Sequence, residues 1–401
     1  MTDASVRGAK ILYTAFDEVP GPKGASTHIV EFVGALARAG AHVTLATPGA
    51  ADVPERPCFD GATQVVFGCP DDNPLGRART FREKLAAWLA SRSFDVLHCR
   101  SIFEGIPLLD PRLRRDARIV YEVNGFPSIE LKYHYSKAAD DLVLQAKLER
   151  QENDLLAAAD LVITVSDVNR AAIEARGVPP QRVRVIRNGV DHDRFGYHPP
   201  PVALAGEPLR LCYIGTLSAW QGLEVLIEAV DLLRVHRPAQ LRILGPAGRG
   251  RRDELERVVR RLRLSDCVHF LGSGSQDDVV RLLHDSHATA VPLLAVDRNT
   301  RQGCSPLKLL EAMAAGCPVV ASDLPVVREL ATPEIHVATV HPHDARHLKN
   351  TLLRVVETPG LAEQLTRAAR EHIERRHTWR RAAQELLQAY ARRTGFQPVS
   401  D

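Results

Sequence analysis

The chain has 401 residues, of which 45% are hydrophobic and 25% are charged. This globular composition and length predict two or three domains, and no apolar run approaches the ~20 residues that a transmembrane helix needs. The net charge of +3 is too small to indicate a nucleic-acid-binding protein.

The first half of the chain alternates short apolar strands with helices. A strand at Lys10–Thr14 is followed by a glycine-rich loop at Gly21–Ser26, a helix from His28 to Ala39 and a second strand at His42–Ala46. Five further strands are predicted at Val65–Phe67, Asp95–His98, Arg118–Glu122, Leu161–Val165 and Val183–Ile186. Short buried strands separated by helices favour a parallel sheet covered on both faces.

A run of three prolines, Pro199–Pro201, interrupts this alternation and excludes helix and sheet over residues 198–208. Six strands follow, at Leu209–Ile214, Gln240–Leu244, Val268–Leu271, Ala288–Val291, Pro318–Ala321 and His336–Val340. Helices are predicted at 223–236, 252–262, 277–285, 306–315 and 325–330, and over most of 343–393. The sequence therefore predicts two doubly wound α/β domains, residues 1–198 and 199–378. Ligands bind beyond the carboxyl ends of the strands in such sheets, so we expect a cleft between the domains.

The segment Gln302–Ser322 carries the most informative polar residues. Ser305 is predicted to be the N-cap and Pro306 the first residue of a helix, whose free amides and dipole suit an anion. Lys308 and Glu311 share one face of that helix. A nucleotide-sugar would place its phosphate on the amides and its ribose diol on the carboxylate. A capped surface helix with an ordinary Lys308–Glu311 ion pair is an equally simple interpretation.

Ordered motifs through most of the chain resemble the family-4 retaining glycosyltransferases of the GT-B fold. They are the loop 21–26 and the segments 95–100, 164–167, 185–191, 213–222 and 310–322. The segment His377–Trp379 resembles the start of a last helix, 379–393, that crosses back onto the first domain. The resemblance implies two Rossmann-like domains facing a central cleft, of which the first binds the acceptor and the second binds the donor.

The resemblance also implies roles for individual residues. Glu311 matches the carboxylate that holds the donor ribose, and Gly215 matches the turn that faces the donor diphosphate. Gly24 and Ala25 match the first-domain loop whose backbone closes on the phosphates. Such enzymes transfer a sugar with retained anomeric configuration. They need no metal or other cofactor, because the helix dipole, amides and basic side chains stabilise the leaving diphosphate.

Four positions depart from the family pattern. Gly303 stands where a second glutamate usually contacts the transferred sugar, and Asn124 stands where a histidine usually touches it. Thr216 and Gln221 stand where an arginine and a lysine usually contact the diphosphate. Losing two cations removes much of the leaving-group stabilisation unless other groups replace them.

Replacement cations are present near the same helix N-terminus. We expect Lys308, with Arg298 or Arg301, to take over the diphosphate, while Thr216, Gln221 and Asn124 donate hydrogen bonds. The catalytic set is then predicted as Asn124, Lys308 and Glu311. The predicted donor site comprises Gly24, Ala25, Gly215, Thr216, Gln221, Arg298, Arg301, Gly303, Cys304, Ser305 and Pro306.

Contacts with the acceptor are predicted from weaker signals. His98 and Arg100 end a buried strand, where packing at the strand end is as good an interpretation as binding. Glu130 lies in Phe126–Tyr135, where an acceptor would dock, but a plain surface role fits equally well. The basic stretches Arg77–Lys84 and Arg112–Arg115 are compatible with contact to anionic lipid, although a solvated helix face is favoured.

Cysteine usage and the N-terminus predict the compartment. Seven cysteines without C-x-x-C spacing fit reduced cytosolic thiols better than disulfides or a zinc site, and Met1–Ala9 lacks a signal-peptide core. We expect a cytoplasmic enzyme with peripheral contact to the inner membrane face as an option, a nucleotide-sugar donor, a glycan or lipid-linked acceptor and no nucleic-acid partner. Another GT-B enzyme, such as a nucleotide-sugar epimerase or a sugar phosphorylase, and a non-catalytic nucleotide-sugar-binding protein remain alternatives.

Overall fold

The computed structural model describes residues 6–21, 23–71, 73–135, 140–248 and 250–393. Residues 1–5 of the polar N-terminus and Pro22 of the glycine-rich loop lie outside this range. The chain forms two compact units, one of residues 1–187 with 380–401 and the other of residues 188–379. The three-proline run therefore lies within the second unit, and the last helix belongs almost wholly to the first.

The first unit is built on an eight-stranded sheet with the strand order β3-β4-β2-β1-β5-β6-β7-β8. Its strands are β1 (Lys10–Thr14), β2 (His42–Gly49), β3 (Val53–Pro57), β4 (Thr63–Gly68), β5 (Val96–Cys99), β6 (Arg118–Val123), β7 (Leu161–Thr164) and β8 (Val183–Val185). Every pair is parallel except β3 with β4. The near-continuous apolar strands are buried on both faces, as a parallel sheet requires.

Helices cover this sheet. They are α1 (Gly24–Arg38), α2 (Pro74–Leu89), α3 (Ile102–Gly105), α4 (Pro111–Arg114), α5 (Pro127–His134), α6 (Leu142–Ala158), α7 (Asp167–Ala175) and, from the end of the chain, α15 (Trp379–Arg393). Helix α1 begins at Gly24, four residues before the predicted start at His28. Gly24 and Ala25 are thus the first helical residues rather than loop residues, and the hydroxyl of Ser26 accepts a hydrogen bond from the amide of Gly21 at 2.8 Å.

The second unit contains a six-stranded, wholly parallel sheet with the order β11-β10-β9-β12-β13-β14. Its strands are β9 (Leu209–Ile214), β10 (Ala239–Leu244), β11 (Val268–Gly272), β12 (Ala288–Val291), β13 (Val319–Ser322) and β14 (Ala338–Val340). Its helices are α8 (Leu223–Arg234), α9 (Arg251–Arg261), α10 (Gln276–His284), α11 (Leu307–Ala315), α12 (Pro325–Arg328), α13 (Ala345–Glu357) and α14 (Leu361–Arg376). The predicted long helical stretch is divided where Gly360 takes a positive φ of 75°.

Strand order places the carboxyl ends of β9 and β12 at the point where the chain reverses direction across the second sheet. From β9 the chain moves outward to β10 and β11, whereas β12 to β14 extend from its other side. Loops that leave the sheet at such a switch point form the usual ligand crevice of an open α/β sheet. The loop after β9 and the loop that leads from β12 to α11 both start here.

No helix in the described ranges is both long and apolar enough to cross a lipid bilayer. The predicted fold class, two doubly wound α/β units, is confirmed by the two sheets and their helices.

Candidate functional site

The loop after β9 brings its backbone unusually close to α11. Gly215 has a φ of 119°, and a Cβ atom at this position would lie 3.0 Å from the Nζ atom of Lys308. A Cβ atom on Gly245 would lie 2.0 Å from the carbonyl oxygen of Gly215. Glycine is therefore favoured at both positions, at Gly215 by its positive φ and at Gly245 because a side chain would collide with the Gly215 backbone.

Lys308 lies on the first turn of α11 and is only 8% exposed. Its Nζ atom donates to the hydroxyl of Tyr213 and to the Oε1 atom of Gln221, both at 2.6 Å. The hydroxyl of Tyr213 donates onward to the carbonyl oxygen of Thr216 at 2.8 Å, which fixes the loop. An ammonium group has three N–H donors, and within the described residues the third has no acceptor. A buried cation therefore faces the Gly215 turn with one donor to spare.

Glu311 follows one helical turn after Lys308 and is partly buried. Among the residues that the structure describes, its carboxylate accepts no hydrogen bond and forms no ion pair with Lys308. Burial raises the pKa of Glu311 to about 7, against the opposing charge of Lys308. Burial likewise lowers the pKa of Lys308 to about 7. Two shielded, incompletely paired groups with shifted pKa values are typical of a ligand site.

The N-terminus of α11 differs from its sequence-based prediction. The N-cap is Pro306, with no side-chain cap, so the prediction that Ser305 caps the helix is wrong. The Oγ atom of Ser305 accepts from the amide of Asn188 at 3.3 Å, and the Ser305 carbonyl accepts from the Asn188 side chain at 2.7 Å. The first-turn amides of α11 are consequently left without a side-chain partner. That arrangement suits an anion better than a capped helix would.

A single π-helical turn, Arg298–Gln302, precedes this N-terminus and ends at Gly303, whose φ is 81°. The guanidinium of Arg298 lies 5.0 Å from the ring centre of Trp220. The side chain of Asn299 donates to the Trp220 carbonyl at 3.1 Å and thereby fastens the turn to the loop after β9. The charge of Arg298 contributes to the lowered pKa of Lys308, whereas Arg301 is exposed.

Most of the predicted donor residues of the second unit thus meet at one place with Lys308 and Glu311 of the predicted catalytic set, whereas Arg301 is exposed and its donor role stays a prediction. They come from the loop after β9, from the π turn and from the start of α11: Gly215, Thr216, Gln221, Arg298, Gly303, Cys304, Ser305, Pro306, Lys308 and Glu311. Tyr213 also belongs to this group, because its hydroxyl contacts Lys308 and Thr216. Sequence reasoning missed it, since a tyrosine in an apolar strand is expected to be a core residue. Gly24 and Ala25 lie in the first unit at the start of α1, and their phosphate role stays a prediction.

In the first unit, polar side chains gather around Glu122 at the end of β6. Glu122 is fully buried and receives the hydroxyl of Tyr13 at 2.7 Å, Nε2 of His98 at 3.1 Å and Nε of Arg100 at 2.9 Å. Burial alone would raise the pKa of Glu122, but His28 and Arg100 outweigh it and hold that pKa well below its usual range. Sequence reasoning missed Glu122, although a carboxylate in a buried strand is itself a signal.

The structure shows the contacts of the candidate acceptor residues, for which packing and acceptor binding were both left open. His98 is fully buried between Glu122 and the hydroxyl of Tyr390, which lies 2.6 Å from its Nδ1 atom. Arg100 is engaged by Glu122 and by Asp17, whose carboxylate it contacts at 2.9 Å. These contacts favour the packing interpretation of both residues. Glu130 lies on α5 and is partly exposed, and its acceptor role stays a prediction.

Two family models match consecutive parts of the chain. Residues 22–194 match the model described as Glycosyltransferase Family 4, and residues 198–372 match Glycosyl transferases group 1. Among curated relatives, WcaL of Escherichia coli K12, named for a glycosyltransferase of colanic acid biosynthesis, is 31% identical over 57% of each chain. The chain spans between 51% and 60% of the length of the first four such relatives. The glycogen synthase of Mycobacterium tuberculosis H37Rv is 25% identical over 94% of this chain and 93% of its own length.

Solved structures share the fold. Sucrose-phosphate synthase from Thermosynechococcus elongatus superposes with a TM-score of 0.79 and 21% identity, over 96% of this chain and 98% of that one. Anabaena HepE in complex with UDP-glucose gives a TM-score of 0.71 and 19% identity, over 95% and 98% of the two chains.

Proposed function

The chain belongs to the family-4 glycosyltransferases of the GT-B fold, and on this basis we propose that it transfers a sugar from a nucleotide-diphosphate-sugar to a glycan or lipid-linked acceptor. The transfer retains the anomeric configuration and uses no metal. The observation that carries the proposal is the buried ammonium of Lys308, which faces the Gly215 turn with a spare donor beside the unpartnered carboxylate of Glu311.

Lys308 and the first-turn amides of α11 provide the positive charge that the leaving diphosphate needs. As the glycosidic bond breaks, negative charge grows on the diphosphate, and fixed donors that are already oriented lower the energy of that state without reorganising. The carboxylate of Glu311, one turn further along the helix, accepts hydrogen bonds from the ribose hydroxyls. Its lack of any partner in the described residues leaves it available for that task.

Lys308 also accounts for the missing family lysine at position 221. The Nζ atom of Lys308 lies 2.6 Å from the Oε1 atom of Gln221, so the ammonium reaches the end of the side chain that stands at the family's lysine position. In this proposal the cation has moved from the loop to the helix while remaining at almost the same place in the site.

The nature of the sugar and acceptor is proposed from the relatives. HepE binds UDP-glucose, so a UDP-linked hexose is the first donor to test. WcaL is named for the biosynthesis of a polysaccharide, colanic acid, and we propose that this chain also acts in polysaccharide biosynthesis.

We propose a cytoplasmic location for the enzyme. Peripheral contact with anionic lipid has less support, because the basic side chains of Arg77, Arg79 and Lys84 already form ion pairs with carboxylates of the protein.

Donor binding is expected to move protons in opposite directions at pH 6 and pH 8. At pH 8 about nine-tenths of Lys308 is neutral given its pKa of about 7, and the diphosphate favours the charged form, so binding takes up a proton. At pH 6 about nine-tenths of Glu311 is protonated, and hydrogen bonds from the ribose favour the ionised form, so binding releases one.

Isothermal titration calorimetry of a nucleotide-sugar in buffers of different ionisation enthalpy measures this exchange. The Lys308→Met variant is expected to lose the uptake at pH 8 and keep the release at pH 6, and Glu311→Gln the reverse. Equal proton exchange at both pH values in the wild type would contradict these assignments.

Product analysis tests the proposed reaction. Release of free nucleotide diphosphate from UDP-glucose, GDP-mannose or ADP-glucose is followed with and without glycan and lipid-linked acceptors, and the product linkage is assigned by NMR. Transfer predicts release that depends on the acceptor and a product anomer identical to that of the donor. Acceptor-independent conversion of the donor, or an inverted product, would contradict it.

A further inference from the structure

Tyr213, on β9, contacts the ammonium group of Lys308 in two ways. Its side chain is fully buried, and its hydroxyl oxygen accepts a hydrogen bond from the Nζ atom of Lys308 at 2.6 Å. The same Nζ atom lies 4.1 Å from the centre of the Tyr213 ring. A cation over an aromatic ring is attracted by the negative face of the ring, and the attraction increases when water is excluded. One side chain therefore supplies both an acceptor and an aromatic face to a buried cation.

The hydroxyl of Tyr213 can only accept from Lys308, because its own hydrogen is used elsewhere. It donates to the carbonyl oxygen of Thr216 at 2.8 Å. Burial raises the pKa of Tyr213, so the hydroxyl keeps this hydrogen near neutral pH. A hydrogen bond from an ammonium group is stronger than one from a neutral amine, so this acceptor favours the charged form of Lys308.

Lys308 depends on such an acceptor because its burial opposes its charge. Burial lowers the pKa of Lys308 to about 7, Cys304 and Glu311 act in the opposite direction, and Arg298 lowers it further. Near neutral pH the charged and neutral forms are therefore almost equally populated, and the loss of one acceptor shifts the balance toward the neutral amine. The titratable and charged groups around the ammonium and the Tyr213 hydroxyl are Cys304 before α11, Glu311 on α11, Arg298 in the π-helical turn, and Arg251 on α9 with its partners Glu224 and Glu254.

A second acceptor fixes the direction of the remaining N–H group. The Oε1 atom of Gln221 accepts from the same Nζ atom at 2.6 Å. Two fixed acceptors prevent the ammonium group from rotating, so its third N–H group has one direction. A Cβ atom on Gly215 would lie only 3.0 Å from Nζ, so this ammonium is held directly beside the turn after β9.

We propose that Tyr213 is a positioning residue whose hydroxyl keeps Lys308 in its charged form and, with Gln221, directs the third N–H group of Lys308 at the diphosphate of the donor. The inference rests on the proposed function for the identity of this anion. It follows that Tyr213, acting through Lys308, sets the upper end of the pH range in which the enzyme works.

The charge of Lys308 can be measured without any donor. Residues 188–379 contain two lysines, Lys308 and Lys349, so in protein labelled with carbon-13 at lysine the Cε signal of Lys308 is identified by its loss in Lys308→Met. This signal is followed against pH in the wild type and in Tyr213→Phe, which keeps the ring and removes only the hydroxyl. We expect the midpoint of the Lys308 titration to fall by about one pH unit, since losing a hydrogen bond to a charged group changes the equilibrium about tenfold.

The pH profile of transfer shows whether this charge acts in the reaction. It is measured as kcat/KM for UDP-glucose, GDP-mannose and ADP-glucose, and each value for Tyr213→Phe is divided by that of the wild type at the same pH. A midpoint that falls from about 7 to about 6 predicts a loss of about tenfold at pH 8 and of only about twofold at pH 6. A purely structural role of Tyr213 would lower kcat/KM by the same factor at both pH values.

Two further variants separate positioning from a general disturbance of the site. Tyr197→Phe removes another tyrosine hydroxyl of the second unit, which lies 3.3 Å from that of Thr366, and the Tyr197 ring packs near Gly316 at the other end of α11. This matched control should leave both the titration and the pH profile unchanged. In a Lys308→Met background, Tyr213→Phe should have no further effect that depends on pH, because the group through which it acts is gone.

Two results overturn the inference while leaving the proposed function intact. They are a Lys308 midpoint that does not fall in Tyr213→Phe, and a loss of kcat/KM that is equal at pH 6 and pH 8. If the wild type binds and transfers none of the nucleotide-sugars, the proposed function fails first, and the assignment of the third N–H group to a diphosphate fails with it.

Discussion

Replacing Lys308 by methionine is expected to lower the rate of sugar transfer by about 100-fold or more, the loss seen when one donor that stabilises a developing anion is removed. Methionine keeps the length and apolar body of the side chain next to Tyr213 but removes the charge. The loss should therefore appear in kcat. The measurement is the steady-state rate of nucleotide diphosphate release with a saturating acceptor.

The position of Gln221 allows a second substitution that should restore activity to Lys308→Met. Since its Oε1 atom lies 2.6 Å from the Nζ atom of Lys308, the double variant Lys308→Met with Gln221→Lys returns a cation to the same region from the loop. We expect it to recover at least 10-fold of the lost rate. Lys349→Met, a partly exposed lysine on α13 whose ammonium donates to the side chain of Asn350, is the matched control. An unchanged rate in Lys308→Met would remove Lys308 from the mechanism.

Replacing Glu311 by glutamine is expected to weaken donor binding by about 10- to 150-fold. Hydrogen bonds to a charged acceptor contribute about 1.5 to 3 kcal/mol, whereas the amide offers one neutral acceptor to the ribose. A 2′-deoxyribose analogue of the donor tests the contact directly. The wild type should discriminate against the analogue and the variant should discriminate much less, which is the signature of a coupled pair.

Glu228→Gln, on the exposed face of α8, is the matched control for this change and should bind the donor like the wild type. Equal discrimination against the 2′-deoxy analogue in the wild type and in Glu311→Gln would show that Glu311 does not touch the ribose.

The fold could be predicted from the sequence where apolar runs and turn residues agree. Strands such as β1 and β9 were located to the residue, because each is a short apolar run between polar turns. Strand β3 was missed. Its sequence, Val-Pro-Glu-Arg-Pro, is exposed and contains two prolines, which are tolerated only at the edge of a sheet where no ladder bond is lost.

In the candidate site, helical spacing could be predicted from the sequence, but contacts between residues far apart in the chain could not. The spacing of Lys308 and Glu311 on one helix face follows from sequence alone, since it depends only on the helical repeat. The loss of the Ser305 cap could not be predicted, because Asn188, far away in the chain, takes up the Ser305 hydroxyl. The side chain of Asn124 donates to Glu122, whose orientation depends in the same way on contacts with distant strands, and the catalytic role of Asn124 stays a prediction.

The central claim, that α11 and the loop after β9 bind a nucleotide-sugar, is tested most directly by thermal unfolding. The wild type and Glu311→Ala are unfolded with and without UDP-glucose, GDP-mannose and ADP-glucose. Ligands that bind only the folded protein raise its unfolding temperature. We expect at least one nucleotide-sugar to stabilise the wild type and to have a much smaller effect on Glu311→Ala. No stabilisation of the wild type by any of them, or equal stabilisation of both proteins, would contradict the account.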